Sequence, residues 1–445
     1  MLKGIRLGAK QTLAVGFIVI ILSGALLLML PISNKSGDSI HFLDALFTST
    51  SATCVTGLVV FDTWSQFTFF GQLVILILIQ TGGLGFMTIA ILFSMVLGKR
   101  IGLRERSFLM EAVNSMQISG VVRLVKHILV GTLMFEALGA VLLSSRFYGE
   151  FGLWESIWFG IFHSVSAFCN AGFDLMGRIE PYTSLVPFQS DPVVNLTIMG
   201  LIVIGGIGFV VWDDLFRNKL DHKNYSLHTK IVLISTAALI AVSTIIFFMI
   251  ESEASMKGMD FGERLLASFF QSITPRTAGF NTIDTAALSE AGSLYTMFLM
   301  IIGASPGSTA GGIKITTFVI IGLSLITYFR KCDDVNVFNR RLDPAIVRRA
   351  FFSATFYLFL MLAGTFIIVS SQTILIEDAL FEASSAIGTV GLTKGVTQSL
   401  SGISKLVIIA LMYSGRLGSL TVFMAVNEKR CIRKLRNPED KIIIG

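Results

Sequence analysis

The chain has 445 residues, of which 53% are hydrophobic and only 14% charged, with a formal net charge of +6. So apolar a composition excludes a soluble globular enzyme and a disordered chain, and leaves a polytopic membrane protein. The positive excess sits in short connections between apolar runs, which speaks for membrane topology and against nucleic-acid binding.

The first apolar run, 12–30, follows Lys3, Arg6 and Lys10. It is too long for the apolar core of a cleaved signal, and no small-x-small site follows it, so it reads as a retained first span. Further apolar segments near 67–97, 121–143, 190–211, 230–249, 294–327, 351–374 and 403–426 are each long enough for the roughly 20 residues that a bilayer core demands, which predicts eight spans. The residues up to 10, together with 98–126, 212–230, 328–349 and 427–445, hold 25 of the 35 Lys and Arg, and the alternate connections hold eight. Both termini are therefore expected on the cytoplasmic side. Lys314 and Arg416 fall inside spans.

Between the spans of each pair lies a shorter apolar piece, near 43–54, 154–168, 262–273 and 378–387, too short to cross and read as a re-entrant helix. Each starts near a carboxylate (Asp44, Glu155, Glu263, Asp378), which suits a helix N-terminus. Each ends in a related stretch: "FTSTSATCVTG", "FHSVSAFCNAG", "FFQSITPRTAG" and "FEASSAIGTVG", with Phe ten residues before Gly. The glycines, Gly57, Gly172, Gly279 and Gly391, are 115, 107 and 112 residues apart, and Leu or Phe follows every one. A second mark keeps register in the following span: "TGGLGF" at 81–86, "IGGIGF" at 204–209, "AGGIKI" at 310–315 and "SGRLGS" at 414–419. Two marks in matched order point to a fourfold internal repeat, divided at 1–104, 105–222, 223–340 and 341–445. The predicted fold is an all-α polytopic membrane protein: four span, pore loop, span units around a central pore.

Irregular backbone at membrane depth must line water or be buried in protein. Four such loops on one axis offer carbonyl oxygens in place of an ion's hydration shell. Glycine suits them because backbone angles that aim successive carbonyls at the axis are penalised by a Cβ. The expected filter is Val55, Thr56 and Gly57; Asn170, Ala171 and Gly172; Thr277, Ala278 and Gly279; and Thr389, Val390 and Gly391. The bland reading, glycines as ordinary turns and helix contacts, accounts for one loop but not for four with a shared echo.

The segment 294–329 is about twice the length of one spanning helix. Its middle, "GASPGSTAGG", cannot remain regular helix, with four glycines, a proline and three hydroxyl residues. From filter glycine to echo is 25 residues in repeat one and 24 in repeat four but 32 in repeat three. Repeat two, at 33, carries its excess near "EPYTSLVPFQSDP", outside the span. The run Gly303, Ala304, Ser305, Pro306, Gly307, Ser308, Thr309, Ala310, Gly311 and Gly312, with Lys314, is therefore expected to form a gate beneath the filter. Arg416 takes the second glycine's place in the fourth echo. A guanidinium at that depth is expected to face the pore, near the backbone of repeat three, and to repel cations.

The four repeats, the single filter glycines and the glycine-rich break in the third repeat resemble the Trk/Ktr/HKT superfamily of potassium transporters, and within it the membrane subunit of bacterial Ktr systems. The resemblance covers nearly the whole chain. It implies potassium as the transported ion, since a serine in place of the first filter glycine goes with sodium preference there and Gly57 is glycine. It also implies a homodimer with one pore per protomer in a bacterial plasma membrane, seated on a cytosolic ring of nucleotide-binding regulatory subunits, with sodium as activator. The sequence departs from the longer TVGYG signature of tetrameric potassium channels, giving "CVTG", "CNAG", "RTAG" and "GTVG" instead.

Arg276 is expected to pair with a carboxylate such as Glu263, and His163 to pack and hydrogen-bond rather than ligate. The four cysteines show no ligand spacing. "GASPGSTAGGIK" lacks the order of a phosphate-binding loop, and no catalytic cluster lies in the spans, so no enzyme is expected. An ion-coupled transporter with alternating access is the competing class, because broken helices mark it too.

Overall fold

A computed structural model describes residues 8–85, 121–219 and 221–418, together with 88, 102 and 110. The C-terminal parts of the predicted spans 67–97 and 403–426, and the C-terminal tail, lie outside these residues. The chain is mostly helical. Its helices are α1 (Ala9–Met29), α2 (Phe42–Thr53), α3 (Thr63–Gln66), α4 (Phe69–Leu84), α5 (Val121–Phe151), α6 (Leu153–Phe168), α7 (Pro192–Gly206), α8 (Phe209–Asn218), α9 (Leu227–Glu251), α10 (Phe261–Ile273), α11 (Glu290–Ile301), α12 (Ile315–Phe329), α13 (Pro344–Ser371), α14 (Ile376–Gly388) and α15 (Gly402–Leu417). A two-residue hairpin, Asn336–Val337 against Arg340–Arg341, lies in the connection before α13.

α1, α5, α9 and α13 are each long and apolar enough to cross a bilayer. Each is followed by one of the predicted short helices, α2, α6, α10 and α14, and packs along it. The starts follow from local chemistry. Asp191, Ser226, Ser289, Asp343 and Ser401 cap α7, α9, α11, α13 and α15 through side-chain oxygens that accept a backbone N–H in the first turn. Pro192 and Pro344 occupy first helical positions, where a missing N–H costs nothing. The carboxylates expected at the short helices stand in their first turns: Asp44, Glu155, Glu263 and Asp378.

Two features depart from expectation. The predicted span 190–211 is interrupted: α7 ends at Gly206 and α8 leaves at 93° to it. Repeat two therefore also breaks within its apolar segment, not only in the connection before it. In repeat three, Phe270 rather than Phe269 is fully buried. Pro275 has no N–H to continue α10, which stops at Ile273, and the turn that follows is one residue tighter: the Ala278 N–H reaches back four residues, to Thr274, where the other repeats reach back five.

The last span meets the first short helix at Lys405, whose ammonium lies 2.6 Å from the Asp44 carboxylate. Both side chains are mostly buried, at 14% and 16% exposure. Removing one partner of such a pair leaves the other charge uncompensated, a loss of about 3 kcal/mol. Lys405→Met is expected to lower the thermal midpoint of the purified protein, and Lys405→Asp with Asp44→Lys to recover most of it. An unchanged midpoint in the single variant would show that the pair does not hold the two repeats together.

Candidate functional site

The short helices end where their chains turn into the glycine stretches. Two positions before each glycine the backbone is left-handed: φ is 56° at Val55, 58° at Asn170, 70° at Thr277 and 52° at Thr389. At the glycines φ is again positive: 94° at Gly57, 67° at Gly172, 81° at Gly279 and 96° at Gly391. Four segments far apart in sequence thus share one unusual conformation, with non-glycine residues bearing part of its strain.

Their arrangement is a closed ring. A Cβ built on Gly57 would lie 2.5 Å from the carbonyl oxygen of Ala171, and one on Gly172 would lie 2.7 Å from that of Ala278. Gly279 abuts the Val390 carbonyl in the same way, and Gly391 the Thr56 carbonyl. Each glycine therefore faces the carbonyl of the residue preceding the glycine of the next repeat, and the fourth returns to the first. Among the described residues none of these four carbonyls accepts a hydrogen bond. The hydroxyl oxygens of Thr56 and Thr389 are buried beside the ring, also without a partner there. Oxygens so placed suit a cation that has shed its water.

Several amides behind the ring donate back to the short helices. The N–H groups of Thr56, Ala171 and Val390 donate to the carbonyls of Ser51, Ser166 and Ser385, each at 2.8 Å. Gly57 and Gly391 donate to the hydroxyls of Ser51 and Ser385, at 3.1 and 3.0 Å. These serines were missed in sequence, although the signal was visible: Ser stands four residues after Phe in repeats one, two and four, and Ile273 in repeat three. There Ala278 donates to Thr274 instead, at 3.0 Å.

His163 packs as expected. Its Nδ1 lies 2.8 Å from the Phe159 carbonyl and its Nε2 accepts the Leu175 N–H, tying the outgoing loop to α6. Arg276 does not pair with Glu263. Glu263 is engaged by the Ser190 hydroxyl and the Asp260 N–H, in the capping box of α10. Arg276, beyond the end of α10, is 4% exposed, and its Nε has no partner among the described residues.

Beneath the ring lies the 303–312 loop. Its base is pinned by the Gly303 N–H on the Ile313 carbonyl at 2.7 Å and the Ile315 N–H on the Ala304 carbonyl at 3.1 Å. Its tip reaches the ring: the Thr309 hydroxyl donates to the Phe168 carbonyl at 3.1 Å, and the Asn170 side chain lies between Thr309 and Thr277. Lys314 folds back onto the loop carbonyls of Ala310 and Gly311, at 2.8 and 3.2 Å. Arg416, from α15, donates to the Thr309 carbonyl on one side and to the Gly82 and Gly83 carbonyls on the other. It thus bridges repeats one and three, with the guanidinium on the exposed carbonyls of the last turn of α4, where a cation is favoured.

Comparison with known proteins bears on this geometry. The model of the TrkH family, described as cation transport protein, matches residues 8–430. Ktr system potassium uptake protein B of Bacillus subtilis (strain 168) is 41% identical over 447 residues, spanning 100% of this chain and 98% of the relative. Potassium/sodium uptake protein NtpJ of Enterococcus hirae is 43% identical over 450 residues, spanning 99% and 98%. The crystal structure of the potassium transporter TrkH from Vibrio parahaemolyticus superposes with a TM-score of 0.73 at 19% identity, covering 96% of this chain and 86% of that one, a likeness of fold.

Serine at Gly57 or Gly279 places a side chain against a ring carbonyl and forces it into positive φ. Either change is expected to reduce potassium-over-sodium preference about tenfold, ~1.4 kcal/mol, and to impair potassium-limited growth. Unchanged potassium affinity in both variants, by radiotracer uptake, would remove these residues from the filter.

Proposed function

The chain belongs to the TrkH family of cation transport proteins, and from that membership we propose that it takes up potassium as the ion-translocating membrane subunit of a Ktr-type system. One observation carries the reading: four backbone carbonyls, none of them hydrogen-bonded among the described residues, close a ring, one from each repeat. Such a ring replaces four water oxygens around a dehydrated cation, and its glycines let the backbones approach closely enough to make it. The repeats contribute to it in parallel sense, which favours a pore over the inverted repeats of alternating-access carriers.

The repeats divide at 1–104, 105–222, 223–340 and 341–445, with both termini on the cytoplasmic side of a bacterial plasma membrane. Potassium passes the ring and meets the 303–312 loop and Arg416. The loop occupies the space below the filter, and Arg416 adds a positive charge there. Together they act as the gate. The system name carried by the Bacillus subtilis relative implies a second component. We assign to this chain a homodimer seated on a cytosolic ring of nucleotide-binding subunits, with sodium as activator.

Two consequences separate the gate from a static packing kink. Arg416→Gln removes the charge and is expected to raise potassium flux into proteoliposomes severalfold or to free it from partner control. Failure to recover folded protein, in this variant and in Arg416→Lys alike, would assign Arg416 to structure instead. Deleting Ser305 to Ala310 is expected to leave the protein folded and dimeric, to raise flux and to weaken its dependence on the cytosolic partner. A folded deletion variant with parental flux and regulation would sink the gate assignment.

A further inference from the structure

The break between α7 and α8 is made of the hydrogen-bonding groups that a continuous helix would use on itself. In an unbroken helix the carbonyls of Ile204, Gly205 and Gly206 would accept from the N–H groups of residues 208, 209 and 210. Here each has gone elsewhere. The Ile204 carbonyl accepts the indole N–H of Trp212 at 3.1 Å. The Gly205 carbonyl accepts the Thr309 N–H at 3.3 Å and the Gly206 carbonyl the Ser305 N–H at 3.0 Å, both from the gating loop. The Phe209 N–H, the first donor of α8, is given to the loop carbonyl of Gly307 at 2.8 Å. Gly208, at φ 96°, makes the turn, and a Cβ on it would lie 2.8 Å from the Pro306 carbonyl.

The two bonding patterns exclude each other. If α7 and α8 join into one helix, the Gly205 carbonyl takes back Phe209 and the Gly206 carbonyl takes back residue 210, and the loop loses its three backbone bonds to the second span of repeat two, keeping only those of the Thr309 hydroxyl to Phe168 and Asn170. Every backbone group released by the loop then has a partner in the straight helix, so this conversion leaves no orphan on the helix side. A segment whose carbonyls have two alternative sets of backbone donors is a two-state element. Trp212 favours the bent one, since its indole serves the Ile204 carbonyl only across the bend, and it packs there against Phe168, with ring centroids 5.8 Å apart, at the base of the filter loop of repeat two.

We propose that the second span of repeat two is the latch of the gate: bent, it holds the 303–312 loop under the filter, and straightening it to a continuous α7–α8 helix releases the loop. The inference rests on the gate reading above and adds Gly208 and Trp212 as positioning residues of the loop, neither of which contacts the ring carbonyls.

Two substitutions bias the element toward straight without touching the loop sequence. Gly208→Ala penalises positive φ and favours helix. Trp212→Phe removes the bond to the Ile204 carbonyl and keeps an aromatic ring. Each is expected to raise potassium flux, measured without cytosolic partner, about fivefold, the change in a two-state ratio when one state loses a hydrogen bond. Both increases should vanish when Ser305 to Ala310 is deleted. A structural readout comes from spin labels at exposed positions 193 and 216, introduced as Val193→Cys and Phe216→Cys with Cys332 and Cys431 replaced by serine. On straightening, their separation should grow by about 10 Å, from the rise per residue of a helix. If the deletion raises flux but neither substitution does, or if the label distance is the same in low-flux and high-flux variants, the latch is refuted and the gate stands. If the deletion itself leaves flux unchanged, the gate reading falls, and the latch with it.

Discussion

A backbone carbonyl inside a membrane must find a partner, and this structure turns on four that have none among the described residues. Burying an unbonded peptide oxygen costs several kcal/mol on apolar scales, and here four are gathered within a few ångströms of one another. The surroundings enforce the arrangement. Left-handed backbone two positions before each glycine turns the chain, the glycines accept positive φ, and the carbonyls of Ser51, Ser166, Thr274 and Ser385 take the N–H of the residue before each glycine. What remains facing inward is oxygen alone. A proposed filter of this kind is specified by where the N–H groups go as much as by where the carbonyls point.

Much of this was legible in sequence because it repeats. The glycines, their spacing and the short helices between spans follow from a period near 110 residues, and the helices fall within two residues of their predicted ends. What sequence did not disclose was tertiary. The break at Gly208 sits in "IGGIGFVVW", which reads as uninterrupted apolar span, because the bonds that stabilise the bend come from a loop a hundred residues away. The expected Arg276–Glu263 pair failed for a local reason: Glu263 is consumed as a capping-box residue at the first turn of its helix, a role its place three residues after Asp260 announces. The shift to Phe270 goes with a turn one residue shorter than in the other repeats, closed by the Ala278 N–H on the Thr274 carbonyl.

The echo motif acquires a meaning that its residue types alone did not give. Its last glycine has nearly the same conformation in three repeats: φ 80° and ψ 129° at Gly85, φ 96° and ψ 141° at Gly208, φ 82° and ψ 143° at Gly418. Lys314 stands at that position in repeat three with φ −68° and ψ 142°, an extended conformation that any residue adopts. In every repeat the last position of the echo thus stands at a helix end, and in repeats one, two and four the first glycine of the echo lets the span approach its own short helix: Gly82 lies against the Thr53 carbonyl, Gly205 against that of Phe168 and Gly415 against that of Ile387.

The fourfold plan therefore governs the ring and the hinge below it, and fails between them in three places. Repeat three has the loop, repeat four has Arg416 where glycine is the rule, and repeat two spends its freed hinge groups on the loop. These departures converge on one another: Thr309 receives the Arg416 guanidinium through its carbonyl and gives its N–H to Gly205 and its hydroxyl to Phe168. A ring that must surround a spherical ion gains from four equivalent sides. A device that must be either shut or open gains from unlike ones, because identical repeats would each bond only to themselves and leave nothing to exchange. The asymmetry beneath the proposed filter is in that sense the condition for the proposed gate, and Thr309 is the residue through which all three unlike parts are joined.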